Sequence, residues 1–222
     1  MTAPGGVVYE HVAFDLDGTL IDSRADLAGA VNHVLRTLRL PDQPPETLYG
    51  YVGEGARMLI QRALGRVHED RLEEAVALFM AHYGAHLLDA TRPYPGIVEV
   101  LAALDTRAVA LSVLSNKPEA MSRSILEGLG LAHRFVEIIG GNSLPSRKPD
   151  PAGLEHLRGL TRTPRERVLL VGDSAVDVRT ARAAEVAFCG VAWGLTPEAL
   201  AAARPERTIE RPAELIAVVE GG

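Results

Sequence analysis

Five short apolar runs, each ending in polar or glycine-rich residues, constrain this chain more than any other feature. "HVAF" runs into Asp15, "AVALSVL" covers 108–114, "FVEIIGG" 135–141, "RVLLVGD" 167–173 and "VAFCGVAW" 186–193. Runs this short and this apolar read as strands buried on both faces. Helical patterns separate them: "PEAMSRSILEGLG" from 118, "PAGLEHLRGL" from 151 and "AVDVRTARAAE" from 175. Strand alternating with helix predicts an α/β chain, a parallel sheet with helices on both sides.

The alternation breaks between 24 and 92. There "ADLAGAVNHVLRTLRL", "GARMLIQRALG" and "EDRLEEAVALFMAHYGAHLLDA" read as amphipathic helices with no strand between them. "IDS" at 21–23 and "TRPYPG" at 91–96 bracket the stretch, the second rich in residues that end helices. The expected organisation is a core made of 1–21 and 94–222 with a helical cap inserted at 22–93, hinged over the active edge of the sheet. At 222 residues the chain is long enough to bury such a core.

A formal charge of −6 argues against a non-specific nucleic-acid binder, which needs a basic face to neutralise phosphates. Almost all the positive charge is arginine, and lysine occurs only at Lys117 and Lys148, so a lysine in the right place is informative. The single cysteine, Cys189, sits in an apolar run and reads as a small buried hydrophobe. "MTAPGGVVYE" has neither the basic start nor the apolar stretch of a signal peptide, and no run approaches the ~18 apolar residues of a membrane span. A cytoplasmic protein without membrane partners is expected.

Parallel sheets bind ligands at the carboxyl ends of their strands. The sequence places Asp15 and Asp17 there, then Ser115 and Asn116, then Gly140 to Lys148, then Asp173 to Asp177. Side chains two apart on an extended strand share a face, so Asp15 and Asp17 are expected at one site, joined by Asp173 and Asp177 from another strand. Like charges ~5 Å apart at an effective dielectric of ~20 repel by roughly 3 kcal/mol per pair, which asks for a proton or a cation among them. Oxygen ligands without histidine or cysteine favour a hard cation, and Mg²⁺ is the usual one where a phosphate completes the shell.

A phosphorylated substrate would also need the ammonium of Lys148 and the hydroxyl and amide donors of Ser115 and Asn116, just ahead of a helix start at Pro118. With phosphate so held, one of Asp15 and Asp17 can attack phosphorus while the other protonates the leaving oxygen and later activates water.

In this order and spacing, "DLDGTL", "LSNKP", "RKPDP" and "GDSAVD" resemble the four motifs of the haloacid dehalogenase-like superfamily, over nearly the whole chain. The resemblance implies a Rossmann-like parallel sheet core with an inserted α-helical cap, and a Mg²⁺-dependent phosphatase acting on a small phosphorylated metabolite. It implies Asp15 as the nucleophile that forms an aspartyl phosphate, Asp17 as acid/base, and Ser115 and Lys148 as phosphate ligands. Mg²⁺ would then be bound by Asp15, the Asp17 main-chain carbonyl and Asp173, with Asp177 supporting the metal's shell.

"YVGEGARMLIQRAL", "YPGIVEVLAAL" and "SNKP" resemble the phosphoglycolate phosphatase subfamily, which implies 2-phosphoglycolate as substrate. Asn142 in "GGNSLP" departs from it, since many such sequences carry aspartate there. Residues 24–92 contain no lysine, which argues against phosphonate-cleaving and sugar phosphomutase relatives, and Asp17 argues against a dehalogenase. Pyrophosphate hydrolysis uses the same core and stays open. A phospho-signalling receiver domain would share the sheet, the acceptor aspartate and the lysine, but Asp17 and the helical insertion favour an enzyme.

Four further positions carry expectations. Arg57, in the helical insertion, is a candidate for gripping a substrate carboxylate. His82 and His86 have the i, i+4 spacing of zinc ligands but lack the glutamate of a metalloprotease motif, and they read as an amphipathic surface. Asp22 reads as a cap or hinge residue.

Overall fold

The computed structural model describes residues 8–222; the first seven, where the expected core and the reading of the N-terminus begin, lie outside it. In chain order the elements are β1 (His11–Phe14), β2 (Ile21–Asp22), α1 (Arg24–Thr37), α2 (Pro45–Tyr49), α3 (Ala56–Leu64), α4 (Leu72–Ala85), β3 (Arg92–Pro93), α5 (Ile97–Asp105) and β4 (Ala110–Leu114). They continue with α6 (Glu119–Gly128), β5 (Glu137–Ile139), α7 (Ala152–Thr161), β6 (Val168–Gly172), α8 (Ala175–Ala184), β7 (Ala187–Val191), α9 (Pro197–Ala202), β8 (Thr208–Ile209) and α10 (Glu214–Val219).

The apolar runs form a parallel sheet in the order β5-β4-β1-β6-β7-β8, as expected of an α/β core. Period-two alternation divides it between two hydrophobic layers. Val12, Phe14, Leu111, Val113, Leu169 and Val171 face one side, against Leu101 and Leu104 of α5, Ile125 of α6 and Val219 of α10. Ala13, Leu114, Leu170 and Phe188 face the other, against Leu157 of α7, Val178 of α8 and Leu200 of α9. Cys189 lies fully within the first layer, where burial pushes its thiol up to about 12, and it behaves as the inert hydrophobe the sequence suggests.

Helices α1 to α4 bury a separate apolar cluster that includes Val31, Leu35, Leu59, Ile60, Phe79 and Tyr83. The chain enters and leaves this unit through a two-stranded antiparallel ribbon, with Ile21 opposite Pro93 and Asp22 opposite Arg92. Asp22 accepts from Arg24 Nε at 2.9 Å, so it braces the entry to α1. Asp26 ties the two crossings together by accepting from the Ala90 and Thr91 amides at 2.9 and 2.8 Å and from the Thr91 hydroxyl at 2.7 Å. Among the described residues no helix is long and apolar enough to cross a membrane.

Candidate active site

Asp15 follows directly on β1, where its amide still donates to the Val171 carbonyl of β6 at 2.9 Å, so its position is locked to the centre of the sheet. One carboxylate oxygen, Oδ1, accepts from the Leu16 amide at 2.7 Å and lies 2.8 Å from Lys148 Nζ. Among the described residues no donor holds Oδ2 of Asp15. Lys148 is also 2.6 Å from Asp177 Oδ1, and both side chains are almost wholly enclosed. The ammonium therefore stands between two carboxylates. Burial alone would pull its pKa down, but the charges of Asp15 and Asp177 outweigh that and push it up.

Oxygens of Asp15, Asp173 and Asp177 lie within 4.8 Å of one another. Burial, partly offset by Lys148, pushes Asp15 up from 3.8 to about 7. Burial, and then the charges of Asp15 and Asp177, push Asp173 well above the ordinary range. One buried lysine is thus insufficient compensation for three buried acids. The all-oxygen donor set and its unmet negative charge fit a hard divalent cation such as Mg²⁺.

Local structure explains how each acid arrives. Asp177 occupies the first turn of α8 and completes a reciprocal cap: Ser174 donates to its Oδ2 through its amide at 3.1 Å and its hydroxyl at 2.5 Å, while the Asp177 amide donates to Ser174 Oγ at 3.3 Å. Asp173 follows directly on β6 and accepts from the Leu195 amide at 2.7 Å. Gly18 turns at φ +88°, and a side chain there would start 2.2 Å from Asp173 Oδ2, so glycine is required for both reasons.

The expectation of four carboxylates in one cluster is corrected to three. Strand β1 ends at Phe14, and the amides of Thr19, Leu20 and Ile21 all turn back to the Leu16 carbonyl. Asp17 therefore lies on a tight turn, and the two-residue alternation that would align it with Asp15 has ended. Its carboxylate accepts from Ser23 Oγ at 2.5 Å and from Lys117 Nζ at 2.9 Å on both oxygens. The part in metal binding expected of Asp17 rests on its main-chain carbonyl, so the side chain's separation from the cluster leaves that part standing.

Asp15 and Asp17 open onto one cavity of about 40 Å³, room for a few waters, also lined by Ser115, Asn116 and Lys117 from the core and by Leu27, Val52, Leu59, Phe79 and Tyr83 from the helical unit. Ser115 Oγ accepts from the Lys117 amide at 3.2 Å, which leaves its hydroxyl proton available for an anion. Asn116 requires a second correction. Its amide nitrogen is committed to the carbonyls of Gly53 and Lys148, each at 3.1 Å, and its Oδ1 is buried without a partner. In this conformation the side chain bridges the helical unit and the core and has no donor left for a phosphoryl oxygen.

Arg57 is the third correction. It pairs with Glu73 at 2.6 Å, is half exposed and does not line the cavity, because the first turn of α3 directs it toward α4. The residue that the sequence reading passed over is Lys117. It is buried, donates to Asp17 and to Tyr83 Oη at 2.8 Å, and is held charged against its burial by Asp17 and Tyr83. The available signal was its rarity, since both lysines of the chain lie in this site. His82 stacks on His33 at 3.7 Å and His86 pairs with Asp89 at 2.8 Å, an arrangement of α1 and α4 that agrees with the surface reading. Asn142 Oδ1 caps α6 by accepting from the Glu119 amide at 2.8 Å, a role aspartate would fill equally.

Residues 12–191 match the family model for haloacid dehalogenase-like hydrolase. The phosphoglycolate phosphatase of Rhodospirillum rubrum is 39% identical over 198 residues, covering 86% of this chain and 82% of the relative. That of Haemophilus influenzae is 38% identical over 194 residues, covering 84% and 87%. Among solved structures, a predicted phosphoglycolate phosphatase from Haemophilus somnus superposes with a TM-score of 0.90 at 32% identity, over 95% of this chain and 97% of that one.

Proposed function

This chain belongs to the haloacid dehalogenase-like hydrolases, and from that membership we propose that it is a Mg²⁺-dependent phosphatase hydrolysing a small phosphomonoester, 2-phosphoglycolate, through an aspartyl phosphate on Asp15. The observation that carries the reading is the asymmetry of Asp15: Oδ1 is fixed by Leu16 and Lys148 while Oδ2 is left for attack. A nucleophile held by one oxygen loses little freedom on reaching phosphorus with the other. The substrate follows from the relatives, whose names specify phosphoglycolate.

In the reaction, Asp15 Oδ2 bonds to phosphorus as the ester P–O bond breaks, and Asp17 gives its proton to the departing oxygen. Asp17 then takes a proton from water, whose oxygen attacks phosphorus, and the acyl phosphate opens to inorganic phosphate and free Asp15. Ser23 and Lys117 hold the Asp17 side chain on the cavity it shares with Asp15. Lys148 and the Ser115 hydroxyl face the incoming phosphoryl group with positive charge and a hydrogen-bond donor. Asp15, Asp173 and Asp177 would hold Mg²⁺, which when bound lowers the repulsion between these acids and the phosphoryl oxygens.

We assign 22–93 to a cap that opens for substrate. Its own apolar cluster and the ribbon of β2 and β3 support this. A phosphatase panel with and without Mg²⁺, containing 2-phosphoglycolate, pyrophosphate and several sugar phosphates, tests the reading. Mg²⁺-dependent turnover selective for 2-phosphoglycolate is expected. Selective release from pyrophosphate, or stable stoichiometric phosphorylation without turnover, would replace it with the corresponding alternative.

A further inference from the structure

We propose that Lys117, with Tyr83 from the cap, recognises a carboxylate on the substrate and so selects acidic phosphomonoesters over neutral ones. This rests on the phosphatase reading above. Lys117 is the one cation among the residues lining the cavity. On the cap side that cavity is walled by Leu27, Val52, Ala56, Leu59 and Phe79, none of which can compensate an ionised group. Arg57 is paired with Glu73 outside it, and Arg147 lies against Gly55 with its side chain exposed. Among the described residues that line the cavity, Lys117 alone carries a positive charge to meet a second negative one beside the phosphate, with Arg147 at the solvent-exposed rim beside Gly55.

The bonding around Lys117 provides for such an exchange. Two of its three N–H donors go to Asp17 and the third to the Tyr83 hydroxyl, a neutral acceptor. A carboxylate is the stronger acceptor and can take that third donor. Burial pushes Tyr83 up to about 12, so it stays a phenol, and its O–H proton can then go to the second carboxylate oxygen. The pair spans cap helix α4 and the loop after β4, so a bridging carboxylate would also favour the closed cap.

The test compares 2-phosphoglycolate with ethyl phosphate, which has the same two-carbon length and no carboxylate. Lys117→Met is expected to lose about 10- to 100-fold in kcat/KM on 2-phosphoglycolate beyond any loss on ethyl phosphate, the worth of a charged hydrogen bond. Lys117→Arg should keep part of the preference, and Tyr83→Phe, which preserves the packing, should reduce it by roughly 5-fold. Equal losses on both esters would overturn the proposal and leave Lys117 as a residue that only positions Asp17.

Calorimetric binding to Asp15→Asn in Mg²⁺ separates this claim from the phosphatase reading, because it needs no turnover. If wild type hydrolyses neither ester, that reading falls, and binding alone decides. Asp15→Asn preferring 2-phosphoglycolate, and losing the preference with Lys117→Met added, upholds the role. Equal binding of the two ligands by Asp15→Asn, or a preference unchanged by Lys117→Met, overturns it.

Discussion

Lys148 Nζ lies 2.8 Å from Asp15 Oδ1, in a position from which it also reaches Asp177 at 2.6 Å. One cation thus orients Asp15 and connects it to the helix α8 that carries the third acid. Its removal leaves Asp15 and Asp177 facing each other without compensation. Lys148→Met is expected to lower kcat/KM by about 100-fold or more, in line with losing one preorganised charge at a phosphoryl site. Steady-state kinetics on a sample whose near-ultraviolet circular dichroism matches wild type would check it, and a loss under about 3-fold would remove Lys148 from the phosphate site.

Replacement of Asp15 by asparagine keeps the shape and the carbonyl oxygen that Leu16 donates to, but removes the proposed nucleophile. Turnover should fall by about 10⁴-fold or more, as for other covalent catalysts stripped of their nucleophile, with the melting temperature unchanged or raised. The rise is the informative part. Asp15 is pushed up chiefly by burial, so a neutral side chain there relieves a cost. Near-wild-type rates would exclude Asp15 from the chemistry.

The same acids make stability depend jointly on pH and metal. An acid raised from 3.8 to about 7 on folding, as Asp15 is, gives stability that is complete below its unfolded value and is lost as pH climbs through its folded value. Asp173 shifts in the same direction, for burial first and then for the charges of Asp15 and Asp177. Metal-free protein should therefore lose stability as pH rises from about 4 to about 7. Mg²⁺ held by the ionised acids should reverse the loss. At ~100 times its Kd near pH 8 it should add about 2.7 kcal/mol, a melting rise of roughly 5–10 °C for a chain of this size. Near pH 5 the rise should be much smaller. Calorimetry with Mg²⁺ or a chelator measures this, and a rise independent of pH would place the metal elsewhere.

How much of this could be read from sequence depended on whether a feature was local. Strands β1, β4, β5, β6 and β7 were legible because a central parallel strand is apolar on both faces and stops abruptly at the ligand edge. Strand β8 and helices α2, α9 and α10 were missed because two to six residues carry no usable period. The acids of motif-bearing loops were legible by type and order. Their grouping was legible for Asp15, Asp173 and Asp177 but not for Asp17, because the turn after Leu16 sends Asp17 to Lys117, and the close contact of that turn with Asp173 leaves no room for a side chain at Gly18. Arg57 and Lys117 show the same limit. Which cation enters the cavity depends on helix orientation between cap and core, and no short stretch encodes that.

That contact supplies a last prediction. Gly18→Ala combines a backbone angle of φ +88° with a methyl group placed 2.2 Å from Asp173 Oδ2 and 2.8 Å from Leu195, and neither neighbour is a loose chain end. The strain should cost about 1–3 kcal/mol, and its relief should displace Asp173 from the acid cluster. Gly130→Ala provides the comparison: it has φ +70° after α6, but a side chain there meets nothing within 4 Å. Its cost should be only the left-handed conformation, about 1 kcal/mol. Gly18→Ala should therefore weaken Mg²⁺ binding by about 10-fold or more, the usual effect of disturbing a ligand's support, whereas Gly130→Ala should leave it unchanged. Titration calorimetry on both variants distinguishes a local effect on the metal site from general destabilisation, because equal Mg²⁺ affinities would show that Gly18 serves the turn alone.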